Sequence, residues 1–182
     1  MEPGIAPNGK HRFLEALLSH LPSGAVLTPA ELTRYDANLV AHTEAINGKR
    51  KQKGEIVWKY FQWLTLLFVE IYLDRYFSDR RGLCTALNDF VERFNRFHEQ
   101  QKRSTGIGLY AVDDLNKLCL QNATGSGKTL LMHINLRQFG HYARSTGQAD
   151  AYSRVIVLSP NERLSEQHER ELRDNGFYPE PL

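Results

Sequence analysis

Apolar positions follow a helical period through the first hundred residues, and the pattern changes after them. Between Lys10 and Leu21 the residues Phe13, Leu14, Leu17 and Leu18 share one face, which predicts a short amphipathic helix ended by Pro22-Ser23-Gly24. Thr28-Pro29-Ala30-Glu31 has the form of a capping box with proline at the first helical position, so a helix is expected from there to about Ile46, before Asn47-Gly48. Ile56 to Phe77 is apolar on several sides, with Trp58, Phe61, Trp63, Leu66, Leu67 and Phe68 among its residues, and predicts a central helix packed on more than one face. A last helix of this region is expected from about Leu83 to Lys102, with Leu87, Phe90, Val91, Phe94 and Phe97 as its apolar stripe.

Beyond a glycine-bearing joint at Ser104 to Gly108 the pattern alternates between two kinds of segment. The apolar run Leu118-Cys119-Leu120 leads into a glycine-rich turn, and residues 130–139 then read as a helix buried against a sheet, with Gly140 as its left-handed cap. Arg154-Val155-Ile156-Val157-Leu158 carries the mark of a buried parallel strand. Asn161 is placed to cap the helix that follows, Leu164, His168 and Leu172 share one of its faces, and Gly176 is placed to close it. Strand–loop–helix, repeated, predicts an α/β fold behind an all-helical N-terminal region, with domains at 1–105 and 106–182.

Composition narrows this picture only a little. Hydrophobic residues make up 41% of the 182-residue chain and charged residues 24%, which excludes a disordered chain. A net charge of +2 is too small to imply nucleic-acid binding, so any such surface must be local. One local candidate is the basic run Lys49, Arg50, Lys51 and Lys53, which more simply reads as a solvated loop. The most apolar segment is interrupted by Lys59, Gln62, Glu70, Asp74 and Arg75, whereas a membrane span needs ~20 apolar residues with few charges, so no membrane insertion is expected. Cys84 and Cys119 form neither a disulfide framework nor a metal-spaced cluster. They read as buried thiols of a reducing, cytoplasmic compartment.

The chemistry concentrates in Ala123-Thr124-Gly125-Ser126-Gly127-Lys128-Thr129. Glycines at 125 and 127 permit backbone turns closed to other residues. Their N–H groups, with that of Ser126, are then free to converge on phosphate oxygens at a helix N-terminus. Lys128 supplies a mobile positive charge for the terminal phosphates, and the Thr129 hydroxyl is suited to ligate Mg²⁺. Thr124, Gly125, Ser126, Gly127, Lys128 and Thr129 are therefore the candidate nucleotide site, with ATP and Mg²⁺ as the expected cofactors. The strict G-x-x-x-x-G-K-[ST] pattern is missed by one residue, because Asn122 occupies the first glycine position.

The loop A-T-G-S-G-K-T resembles motif I of superfamily-two helicases and translocases, and V-L-S-P-N-E-R-L-S-E-Q-H at 157–168 resembles their motif Ia. The likeness is strongest to the type III restriction enzyme Res-subunit-like branch of the DEAD/DEAH-box proteins. It implies a RecA-like ATPase domain, of which residues 106–182 form the first part, and a nucleic-acid groove contacted by Ser159, Asn161 and Arg163. It also implies DNA as a partner and a nuclease or methyltransferase subunit as a second one. The family's D-E-x-x box does not follow motif Ia: Asp113-Asp114 precedes the loop and Asp150 lies in a linker. No catalytic residue is therefore assigned, and the sequence reads as the truncated N-terminal part of an ATP-dependent helicase or translocase, inactive by itself, of restriction or phage-defence type. Gln100 and Gln101 stand where relatives place an adenine-reading glutamine, but they lack the preceding aromatic and are not assigned that role. The rival reading is a non-catalytic interaction module that binds a partner through Trp58, Trp63 and their neighbours, with a vestigial phosphate loop.

Overall fold

A computed structural model describes residues 2–50, 54–101, 106–152 and 154–180 of the chain. Lys51 and Lys53 of the basic run, Lys102 at the expected end of the fourth helix, and Ser104 of the joint lie outside the described residues. Six α-helices follow in order: α1 (Arg12–Ser19), α2 (Pro29–Asn47), α3 (Tyr60–Ser78), α4 (Arg80–Gln100), α5 (Lys128–Ser145) and α6 (Glu162–Asp174). Two short 3-10 turns, Val112–Asn116 and Ala149–Ala151, complete the order.

Local chemistry accounts for the helix ends. Thr28 Oγ1 accepts from the Glu31 amide at 3.2 Å while the Glu31 carboxylate accepts from the Thr28 amide at 2.8 Å, which closes the expected capping box. Asp79 caps α4 by accepting from the Gly82 amide at 2.9 Å. α6 starts on Asn161, whose Oδ1 accepts from the Leu164 amide at 3.0 Å. It ends in a left-handed Gly176, where the Gly176 amide returns to the Arg173 carbonyl and the Phe177 amide to the Leu172 carbonyl.

The chain divides into two compact units. One comprises the residues up to Ile71 together with those from Asn122 onward, and its core joins Phe13 and Leu14 of α1, Leu32, Tyr35, Leu39 and Ile46 of α2, Trp58, Trp63, Leu66 and Leu67, and Leu131 and Ile134 of α5. Two buried carboxylates in this core are paired. Asp36 accepts from the His11 amide at 2.9 Å and the Trp63 indole at 2.8 Å, and contacts His11 Nδ1 at 2.8 Å. Glu70 accepts from Asn38 Nδ2, Gln138 Nε2 and the Tyr142 hydroxyl at 2.8, 2.6 and 2.9 Å. Burial raises the Glu70 carboxyl above its ordinary range, against the pull of these three donors. The other unit, Tyr72 to Gln121, is smaller and packs Leu83, Cys84 and Leu115 with Tyr72, Tyr76 and Leu87. In it Asn88 and Asn95 of α4 hold the backbone of Tyr110 and Ile107 by paired amide hydrogen bonds.

Four expectations are corrected. The first is the fold class: among the described residues there is no strand and no sheet, only an isolated bridge between Ile5 and His11, so the chain is all-helical and an α/β RecA-like domain is not supported. Residues 118–120 and 154–158 are irregular, and Leu118, Leu120, Val155, Ile156 and Leu158 are exposed. β-branched and apolar residues favour a strand only where a hydrogen-bonded neighbour and a covering layer exist, and the described chain supplies neither to these segments. Secondly, Gly140 does not end its helix. α5 continues to Ser145 and closes on the left-handed Gly147, because the added turn buries Tyr142 and Ala143, a gain that exceeds the ~1 kcal/mol cost of a glycine inside a helix. Thirdly, Phe90 and Phe97 project into solvent, and only Val91 of the five stripe residues on α4 is fully buried. Lastly, Cys84 is buried as expected, whereas Cys119 is exposed in the irregular segment before the loop.

Candidate nucleotide site

The glycine-rich loop joins an irregular segment to the N-terminus of α5, and both glycines do what their lack of a side chain permits. Gly125 has φ 76° and Gly127 φ 81°, left-handed values that a side chain disfavours by roughly 1–2 kcal/mol. The Ser126 amide donates back to the Ala123 carbonyl at 3.2 Å, closing the turn. The Gly127 carbonyl accepts the first bonds of α5, from the Leu130 and Leu131 amides at 3.0 and 3.1 Å. Gly127 offers no side chain to cap the helix. The first-turn amides of Lys128 and Thr129 consequently have no intrahelical acceptor, which is the condition for anion binding at a helix N-terminus.

Two side chains hold this loop. Lys128 folds back so that its ammonium donates to the carbonyls of Asn122 and Ala123 at 3.2 and 3.0 Å. An ammonium has three donors, so this placement parks the charge over the loop with one donor still available. From the first turn of α3, Gln62 Nε2 donates to the Ser126 carbonyl at 2.8 Å, while its Oε1 accepts from the Lys59 amide at 2.9 Å. The glutamine is close enough that a Cβ added at Gly127 would lie 2.8 Å from its Nε2. Ser126 is buried, and its Oγ has no hydrogen-bond partner among the described residues.

Beside the loop lies a cleft of about 310 Å³ lined by Arg50, Gly127, Thr129, Leu130, His133, Glu171 and Asn175. It brings one residue of the basic run, Arg50, to the phosphate loop. Triphosphate fits these residues, because first-turn amides without an intrahelical acceptor, an ammonium and a guanidinium all seek an anion. For Mg²⁺ the half-buried Thr129 hydroxyl is the protein ligand at hand. No group of three or more His, Cys, Asp or Glu capable of holding a metal exists among the described residues. That is compatible with Mg²⁺, which is usually held by one or two protein oxygens together with the substrate's phosphates.

The other predicted site residues gather at the opposite end of α6. Asn161 Oδ1 is engaged in capping. Ser159 Oγ donates to the Asn161 carbonyl at 3.2 Å and pairs with Ser165 Oγ at 2.6 Å. Arg163 is exposed. The chain thus brings Ser159, Asn161 and Arg163 together, but not to the phosphate loop: the cleft is met by Glu171 and Asn175, and Asn161 is 14 residues, about 20 Å of helix, before Asn175. Gln62, His133, Glu171 and Asn175 were not foreseen as site residues. Gln62 had one sequence signal, a lone amide interrupting an apolar run.

A glycine-rich turn on an uncapped helix N-terminus is the kind of arrangement that takes an anion. Residues 101–180 match the model of the DEAD/DEAH box helicase family, the segment that contains the loop, α5 and α6. The match supports a helicase-superfamily, ATP-binding reading of this segment, and that family in general uses ATP with Mg²⁺ and binds nucleic acid. No curated protein and no solved structure matches the chain. Among the described residues no helix is long and apolar enough to cross a membrane.

Proposed function

We propose that residues 122–129 bind the phosphates of Mg·ATP, with Lys128 and the first-turn amides of α5 on the phosphates and Thr129 on the metal. Residues 1–105 and 106–182 are proposed as the two parts of the chain, the second carrying both helicase-like motifs. Ser159, Asn161 and Arg163 are proposed to hold the backbone of a DNA strand, since they sit together at a capped helix N-terminus that presents an exposed arginine. The protein would then serve an ATP-driven helicase or translocase of restriction or phage-defence type, alongside a nuclease or methyltransferase partner. The observation that carries the nucleotide reading is the uncapped start of α5 beneath two left-handed glycines, with the Lys128 ammonium over the loop.

The rival interaction-module reading loses its two tryptophans but keeps their exposed neighbours Phe61 and Phe68. Trp58 and Trp63 are fully buried in the core, where Trp58 Nε1 donates to Thr43 Oγ1 at 2.9 Å and Trp63 Nε1 to Asp36. No partner reaches them in the folded chain. The test is calorimetry of a non-hydrolysable Mg·ATP analogue with wild type and Lys128→Ala. Binding that the substitution removes supports the reading, and equal binding by both proteins refutes it.

A further inference from the structure

Basic side chains collect in the C-terminal half of α5, away from the glycine-rich loop. Arg137, His141 and Arg144 are spaced i, i+4 and i+7, so they share one face of the helix. From α2, His42 joins them: its ring meets that of His141 edge to face, with centroids 5.6 Å apart. Gly127 lies 14 residues before His141, about 21 Å along the helix axis.

Gly140 makes the arrangement possible. A glycine inside a helix is unfavourable, and no left-handed backbone requires this one. A Cβ there would lie 3.0 Å from Arg144 Nη1. The bare backbone lets that guanidinium lie back along the helix, on the side of Arg137.

The cluster lacks a counter-charge. Among the described residues none of the four side chains forms an ion pair with a carboxylate. Glu70 is the carboxylate that acts on His141, and it is buried and already accepts from three donors. The negative end of α5 favours cations only within its last turn. That accounts for Arg144, but not for Arg137, eight residues before Ser145, nor for His42 on another helix. Burial first, then His141, Arg137 and Arg144, lowers the His42 pKa from 6.5 to about 4, and burial with Arg144 lowers that of Arg137. Like charges held this close repel, and an anion beside them removes the repulsion.

The face is open, since Arg144 is exposed and Arg137 and His141 are partly exposed. A guanidinium fork matches two oxygens of a phosphate or a carboxylate. With His42 neutral, the two guanidiniums still carry two positive charges, which a phosphate dianion matches and a carboxylate does not. We propose that Arg144 and His141 bind a phosphate dianion, free or at the end of a phosphomonoester, with Arg137 adding its charge from behind. This site is separate from the glycine-rich loop and does not depend on the nucleotide reading.

The experiment titrates the isotope-labelled full chain with inorganic phosphate, glycerol phosphate and dimethyl phosphate at constant ionic strength and follows amide NMR shifts. Saturating shifts from Gly140 to Ser145 are expected with the first two. Dimethyl phosphate, a diester with one negative charge, is expected to bind about tenfold more weakly. Arg144→Gln is expected to weaken the response about tenfold, the equivalent of one hydrogen bond to a charged group, with an unchanged unfolding midpoint because Arg144 is exposed. Lys128→Ala is expected to leave it at the wild-type value. Tighter saturation by inorganic phosphate assigns the site to the free ion, and tighter saturation by glycerol phosphate assigns it to a phosphomonoester. Shifts confined to residues 124–129, shifts that rise without saturating, equal binding of the diester, or saturation that survives in Arg144→Gln each overturn the proposal.

Discussion

The two motif-bearing regions differ in what holds them. The phosphate loop is fastened to the packed core: Gln62 of α3 grips the Ser126 carbonyl, and the helix it opens buries Leu131 and Ile134 among α1, α2 and α3 residues. The segment 154–163 is held near its end by its own hydrogen bonds, from Asn161 to Leu164 and from Ser159 to Ser165, while Leu158 before it is 86% exposed. Both segments follow an apolar run and open a helix, so their sequences look alike in kind. The difference lies in which helix has a buried face on the core. α5 has one, whereas α6 buries fully only Leu172 of its own residues. A loop geometry that must pre-arrange N–H donors for a ligand benefits from the first situation, because ordering is then done during folding rather than on binding.

The largest test of this contrast removes the core beneath the loop. Trp63→Ala is expected to cost about 3–5 kcal/mol in urea unfolding, and to weaken nucleotide binding with it. Nucleotide affinity that survived such a loss would separate the loop from the core. Next, Lys128→Ala should lower Mg·ATP affinity about 10- to 100-fold, the equivalent of ~1.5–3 kcal/mol for a hydrogen bond to a charged group, with an unchanged unfolding midpoint because Lys128 is exposed. Gly127→Ala should cost about 1–2 kcal/mol from the left-handed backbone and push Gln62 off the loop. It is therefore expected to impair both stability and calorimetric binding, where Lys128→Ala impairs only binding.

Smaller effects test the independence of α6's start. Asn161→Ala should lose about 1 kcal/mol of capping and some α6 helicity by circular dichroism, while nucleotide affinity stays at the wild-type value. A last effect is one of pH. Burial first, then His141, Arg137 and Arg144, lowers the His42 pKa from 6.5 to about 4. The folded state thus holds the neutral ring, so this contribution is complete above pH 6.5 and is lost as pH falls from 6.5 towards 4. His42→Gln should show a smaller drop in melting temperature between pH 7 and pH 4.5 than wild type.

Much of the helical half was legible because its signals are local. The capping box at Thr28, Gly176 at the end of α6 and the periodic stripe of α1 each act within a few residues, and each appears where it was expected. Of the apolar run taken as core, Trp58, Trp63, Leu66 and Leu67 are buried, whereas Phe61 and Phe68 are exposed. The strands were misread because residues such as Val155 and Ile156 record a preference for a paired and covered position, and pairing is a property of a second segment. Gly140 was misread for a related reason: what carries α5 past it is Tyr142, whose hydroxyl reaches Glu70 from seventy-two residues away in sequence.

By itself the sequence determined the glycine-rich turn with its lysine, the caps of α2 and α6, and the apolar stripe of α1, all of which depend on neighbours within a turn. Only the tertiary structure decided that the fold around the loop is helical, that Gln62 anchors it, and that Arg50, Glu171 and Asn175 share its cleft. Those relations join residues far apart along the chain, and no local period or spacing encodes which of many polar side chains the packing will bring to one place.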